Sequence, residues 1–187
     1  ARDPKDIAQI KTLSLHGMTK DAWNRFSDEG YKHYRVVEAG FKYNMMDLQA
    51  AIGIHQLDRI EQSWKRRKEI WELYQESFSE LPARLPLDAD KNTRHAYHLY
   101  TLMIEKSDSG ISRDDFLVQM TKSNIGVGVH YAVLADHPYY RERFGWRTED
   151  YPAAANYGNS TVSLPLSPKL SDGDLDRIIQ SVTGHLS

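Results

Sequence analysis

The chain has no cysteine. A disulfide framework and a thiolate metal site are therefore excluded, and a reducing compartment is the environment that fits. Long apolar runs are also missing. The longest are a handful of residues, against the roughly 20 that a membrane-spanning helix needs. The opening residues, Ala1-Arg2-Asp3-Pro4-Lys5-Asp6, carry no apolar segment of a secretory signal. The expectation is a soluble cytoplasmic protein that does not meet a membrane. Positive charge is not in excess: the formal net charge is -2, which argues against a nucleic-acid partner. There is no internal repeat, no G-x-G-x-x-G, no P-loop and no G-x-S-x-G element. The eight histidines do not fall into an H-E-x-x-H pattern. His95 and His98 lie three apart at the start of a predicted strand, where odd spacings point to opposite faces. No metal site is expected.

What is present is an ordinary globular composition, 40% hydrophobic and 27% charged over 187 residues. That is enough for one domain, or one domain and a piece of another. The start reads as the middle of a domain. A polar turn feeds a helical pattern at Ile7, Ile10 and Leu13, with Asp3 or Asp6 as its cap. From Gly17 to Gly40 there is no period, and an irregular loop rich in aromatics is predicted. From Asp47 to about Leu81 apolar residues recur at steps of three, four or seven, and Pro82 closes the run. One continuous helix of on the order of 50 Å is predicted, long enough to bridge two domains. Strands and helices alternate after Pro86. Strands are expected at Tyr97–Ile104, Ile125–Tyr131 and Thr161–Leu166. Helices are expected after the caps Ser112 and Ser171, each with an aspartate three residues on, and at Pro138–Phe144 and Tyr151–Gly158.

Two segments invite a chemical reading. Gly40 to Asp47 leads into a helix N-terminus, a natural anion site. There Asn44 either donates its amide to a phosphate or serves as the helix N-cap. Gly126-Val127-Gly128 is followed at once by His130 and Tyr131, which an ideal strand would send to opposite faces. One of the two faces a cleft, or His130 is a strand-end histidine satisfied by a backbone carbonyl.

Several runs occur in a recognisable order. They are Leu15-His16-Gly17-Met18, Gly40-Phe41-Lys42-Tyr43-Asn44-Met45-Met46-Asp47-Leu48-Gln49-Ala50-Ala51-Ile52-Gly53 and His95-Ala96-Tyr97-His98-Leu99. Gly126 to Tyr131, Tyr139-Tyr140-Arg141-Glu142-Arg143-Phe144 and Ser163-Leu164-Pro165-Leu166 follow. From about residue 4 to the end the chain resembles the DegT/DnrJ/EryC1/StrS sugar aminotransferases, with its closest look to members that aminate a UDP-4-keto-pentose in lipid A modification. The resemblance implies α/β and α+β architecture, the C-terminal part of a fold-type-I pyridoxal-phosphate (PLP) transferase. Residues 1–46 would end the large PLP-binding domain and carry an active-site loop, 47–81 would be the long interdomain helix, and 82–187 the small α+β domain. It implies a homodimer with shared active sites, a nucleotide-sugar substrate and an amino donor, with glutamate expected. Asn44 would reach the cofactor phosphate of the partner subunit. His130 and Tyr131 would lie by the nucleotide-sugar site, with Tyr34 and Arg35 from the 17–40 loop.

The chain departs from the family in one large respect. The Schiff-base lysine, the aspartate on the pyridine nitrogen and the hydroxyl residue on the phosphate all lie upstream of residue 1 in the family's order. Lys20, Lys32 and Lys42 stand in the wrong contexts to replace that lysine. No catalytic residue is expected in this chain, which reads as a fragment, inactive alone. Two other readings fit the missing lysine. One is a non-catalytic binding or dimerisation module. The other is a regulatory or dehydratase relative on the same fold.

Overall fold

The structure is a computed structural model that describes residues 3–19 and 34–187. The middle of the predicted 17–40 loop, with Lys20, Trp23, Phe26, Tyr31 and Lys32, lies outside the described residues. The chain divides into two compact units, Ala1–Asp58 and Arg59–Ser187.

In the first unit, α1 (Pro4–Ser14) starts where expected. Pro4 suits the first turn, where no N–H is needed, and Asp3 caps it by accepting from the Lys5 N–H at 2.8 Å. The chain then runs against itself. The N–H groups of Phe41 and Tyr43 donate to Leu13 and Ser14, and those of Thr19 and Val37 tie residues 17–19 to 35–37. Two glycines permit this approach. Gly17 has φ +68, and a Cβ on Gly40 would fall 2.0 Å from the Gly17 nitrogen. α2 (Asp47–Asp58) follows. Neither helix buries a residue: Ile10, Leu48, Ile52 and Leu57 are all more than half exposed. Helices whose apolar face meets nothing among the described residues draw little stability from packing.

The continuous helix predicted over 47–81 is two helices. α2 ends at Asp58, Arg59 leaves helical geometry at φ -110, ψ 8, and α3 runs from Ile60 to Ser77. A negative charge at Asp58 opposes the dipole at a helix end, while Glu61 favours the start of a new one. One residue out of helical geometry leaves the three-four spacing intact, so periodicity could not reveal the break.

The second unit holds the core. β1 (Tyr100–Met103) and β2 (Thr161–Leu164) pair antiparallel, with Tyr100 opposite Leu164 and Met103 opposite Thr161. Single bridges extend this pair on both sides, Arg84 beside Met103 and Gly128 beside Ser163. Between the strands come α4 (Lys106–Ser109), α5 (Arg113–Lys122), α6 (Pro138–Phe144) and α7 (Pro152–Ser160), and α8 (Asp172–Leu186) ends the chain. α3 packs Ile70, Trp71 and Tyr74, with Phe78 just past its end, against Tyr100. Phe116 and Met120 of α5, Val162 and Leu164 of β2, and Leu175, Ile178 and Val182 of α8 complete the cluster. Both serine caps form as read: Ser112 and Ser171 accept from the N–H groups of Asp115 and Asp174.

All three predicted strands are shorter than the sequence indicated, the third ending at Leu164 ahead of Pro165. The Tyr97–Ile104 strand pairs only over Tyr100–Met103, because Tyr97 turns away at φ +46 and packs its ring at an angle among Trp64, Trp71 and His95. The Ile125–Tyr131 strand reduces to the one bridge at Gly128. Its start is taken up in closing α5. Asn124 is left-handed at φ +55, and the Ile125 N–H returns to the Met120 carbonyl. Gly126 and Gly128 further weaken extended pairing.

Candidate functional site

The segment after Gly40 is extended, so its side chains alternate. Phe41 and Tyr43 stack on each other, 4.9 Å between ring centroids and nearly parallel at 6°. Lys42 and Asn44 therefore share the other side, and the Lys42 ammonium donates to Asn44 Oδ1 at 2.5 Å. That bond leaves the Asn44 amide nitrogen as a donor with no acceptor among the described residues. Asn44 is half-buried and lies three residues before α2. It is not the N-cap. The side chain that serves the helix start is Gln49, whose Oε1 accepts from the Met46 N–H at 3.0 Å. An ammonium and a free amide N–H side by side, just ahead of a helix N-terminus, form a donor set suited to a phosphate.

Arg35 is fixed through its backbone. Its N–H donates to Thr19 Oγ1 at 3.2 Å and its carbonyl accepts from the Thr19 N–H at 2.8 Å. The guanidinium is exposed and makes no ion pair among the described residues. Tyr34 beside it is 42% exposed. These three candidates belong to the first unit.

His130 and Tyr131 belong to the second. Gly128 exchanges both backbone hydrogen bonds with Ser163 of β2, at 3.1 and 2.7 Å. This bridge brings His130 Nδ1 to 2.9 Å from Ser163 Oγ. The partner is thus a buried hydroxyl and not the backbone carbonyl that the strand-end reading required. The two rings do not part to opposite faces either. They meet edge to face at 4.9 Å, because the chain leaves extended pairing after Gly128. Tyr131 is 71% exposed, while His130 is half-buried. Gly158 of α7 backs this turn, close against Val133 and the Tyr131 carbonyl.

Sequence reasoning missed Lys42 and Ser163 as members of these constellations. The alternation Phe41-Lys42-Tyr43-Asn44 was the available signal for the first. For the second, a serine in a strand buried along its whole length requires a partner. A cleft of about 360 Å³ lies beside α3, lined by Trp71, Asp88, Lys91 and Tyr97 among others, and it contains none of the candidates. Among the described residues, no cluster of His, Asp or Glu is placed to hold a metal ion, and no helix is long and apolar enough to cross a membrane.

Comparison with known proteins gives this geometry its context. Residues 1–183 match the sequence profile of the DegT/DnrJ/EryC1/StrS aminotransferase family. The spore coat polysaccharide biosynthesis protein SpsC of Bacillus subtilis is 43% identical over 182 residues, 96% of this chain and 47% of SpsC. Spr1654 of Streptococcus pneumoniae, assigned to the sugar aminotransferases, has been solved in several forms. Its apo-form superposes with a TM-score of 0.80 at 30% identity, over 96% of this chain and 43% of Spr1654. Its PLP-form superposes with a TM-score of 0.82 at 28% identity, over 100% and 46%. The chain thus spans about half the length of the curated relatives it matches, 47% in each of two cases. The chain belongs to the DegT/DnrJ/EryC1/StrS aminotransferase family, a family of PLP-dependent enzymes.

Proposed function

We propose that this chain is the C-terminal part of an enzyme that moves an amino group, with glutamate as donor, onto a keto sugar linked to a nucleotide. It works as a homodimer with shared active sites, in the cytoplasm, in the synthesis of a cell-surface polysaccharide. Residues 1–46 complete the large PLP-binding domain, 47–81 join the domains, and 82–187 form the small domain. The observation that carries this reading is the family match, unbroken over residues 1–183. The name of SpsC points the same way, toward polysaccharide synthesis.

The residues at hand suit the cofactor. The free Asn44 amide donates to its phosphate in the partner subunit, and the Lys42 ammonium adds charge there. When bound, PLP supplies the electron sink on which the amino group changes hands. Around it, His130 and Tyr131 bind the nucleotide sugar, with Tyr34 and the exposed Arg35 guanidinium contributing from the loop. No group in this chain takes the role of the Schiff-base lysine, so the chain alone is inactive.

The test is amino transfer from glutamate to a UDP-linked keto sugar, read as 2-oxoglutarate formed. It is run with this chain and with the full-length protein that carries it. Turnover by the full-length protein and none by the chain is expected. Turnover by the chain alone would refute the assignment of the missing lysine. None by either would turn the reading toward a non-catalytic docking module or a regulatory or dehydratase relative. The bare apolar residues of α2 favour the docking module among these.

A further inference from the structure

Ser163 is 5% exposed, in a strand whose four residues are all buried. A hydroxyl in such a place needs an acceptor for its proton, and leaving it without one costs the desolvation of that group. Among the described residues the single side-chain or backbone group within reach is His130 Nδ1, at 2.9 Å. A neutral imidazole carries its proton on one nitrogen and accepts on the other. If Nδ1 carried it, Nδ1–H would donate to the serine oxygen, and the hydroxyl proton would turn away to a side with no acceptor among the described residues. With Nδ1 as acceptor, the serine proton has its partner and the ring proton sits on Nε2, at the far side of the ring. Two further contacts hold the ring's orientation. A Cβ on Gly128 would lie 3.1 Å from His130 Cε1, so the bare glycine leaves the space that the ring edge occupies. Tyr131 closes another side edge to face at 4.9 Å.

We propose that Ser163 is a positioning residue that fixes His130 in the Nε2–H tautomer, so that the ring offers a directed N–H donor to an acceptor oxygen of the nucleotide sugar. The proposal deepens the reading of His130 as a substrate residue and rests on it for the second half alone. Ser163 does not touch substrate. It acts by removing the alternative in which Nε2 is an acceptor and would repel the same oxygen.

The test is the tautomer itself, read from the ring ¹⁵N shifts and long-range ¹H–¹⁵N couplings of His130 in the histidine-labelled chain above the pH at which the ring is protonated. An Nε2–H pattern is expected in the wild type, a mixture of tautomers in Ser163→Ala, and recovery of the wild-type pattern in Ser163→Thr, which restores the hydroxyl. An Nδ1–H pattern in the wild type, or an unchanged pattern in Ser163→Ala, overturns the proposal. Backbone amide spectra of Ser163→Ala report folding separately, because the Gly128–Ser163 bridge uses backbone atoms alone. In the full-length enzyme, Ser163→Ala is expected to lower kcat/KM about tenfold, the worth of roughly one hydrogen bond to substrate, and Ser163→Thr to restore it. If His130→Ala left kcat/KM unchanged while the tautomer behaved as expected, the substrate role of His130 would fall and the positioning by Ser163 would stand.

Discussion

Thr161 sits in β2 opposite Met103, fully buried, and its Oγ1 has no hydrogen-bond partner among the described residues. Arg113 donates to the main-chain carbonyls of Thr161 and Gly158, at 3.2 and 3.0 Å, and leaves the hydroxyl aside. Thr161→Val keeps the shape and removes the orphaned group, so the chain should gain about 1 kcal/mol of stability. Thr161→Ser should bring no such gain. Urea midpoints of the two variants check this. Gly40 predicts the opposite sign. A methyl there would fall on the Gly17 backbone, so Gly40→Ala should cost about 2–3 kcal/mol by overpacking. The loss should show as faster hydrogen exchange at the His16 and Tyr43 amides, whose bonds hold the two segments together. At this scale the sequence left Asn44 open between phosphate donor and N-cap, and its release from capping duty could not be read from it. That depended on Gln49 reaching the Met46 N–H.

At the scale of elements, α8 shows how local chemistry sets a helix start. Ser171 accepts from the Asp174 N–H at 3.1 Å, and the Asp174 carboxylate accepts from the Ser171 hydroxyl and N–H at 2.7 and 3.1 Å. The hydroxyl first and the backbone N–H second hold the Asp174 carboxyl below its ordinary value. Its ionised form is thus favoured by folding. The resulting stability is present above the unfolded value of about 4 and is lost as pH falls through the folded one. Ser171→Ala should cost about 1 kcal/mol at neutral pH, and the difference from wild type should narrow as pH falls through the carboxylate range. A constant difference in denaturation midpoint across that range would contradict the coupling. Caps of this kind depend on residues three apart, which is why both serine-capped helices were legible. The break at Arg59 was not, since nothing in the local spacing marks it.

At the scale of the whole chain, stability is concentrated in Arg59–Ser187. Tyr74 and Tyr100 lie at its centre, fully buried, their hydroxyls donating to the Pro165 carbonyl and to Gln75 Oε1 at 3.0 Å each. Burial pushes both phenols above their ordinary value, with Tyr74 and Asp88 adding to the effect at Tyr100. The folded state therefore holds these protons more tightly than the unfolded chain. Their contribution is complete below the unfolded value of about 10 and drains away as pH rises beyond it toward the folded values. Denaturation followed by tryptophan fluorescence should show a midpoint that falls above about pH 10, less steeply in Tyr74→Phe. An unchanged midpoint would mean that these rings are not the buried acids described.

By itself the sequence determined the helix caps, the amphipathic faces, the class of fold and, through the ordered runs from Leu15 to Leu166, the family. These are properties of neighbours three or four apart or of residue order, and both survive in one dimension. Tertiary structure alone decided where the helix breaks, that Ile125–Tyr131 pairs at one residue, and that Ser163 meets His130. The last pair lies 33 positions apart. It exists because Gly128 bridges β2 and turns the following ring inward onto it, an arrangement set by backbone pairing between distant segments, with no local sequence pattern to announce it.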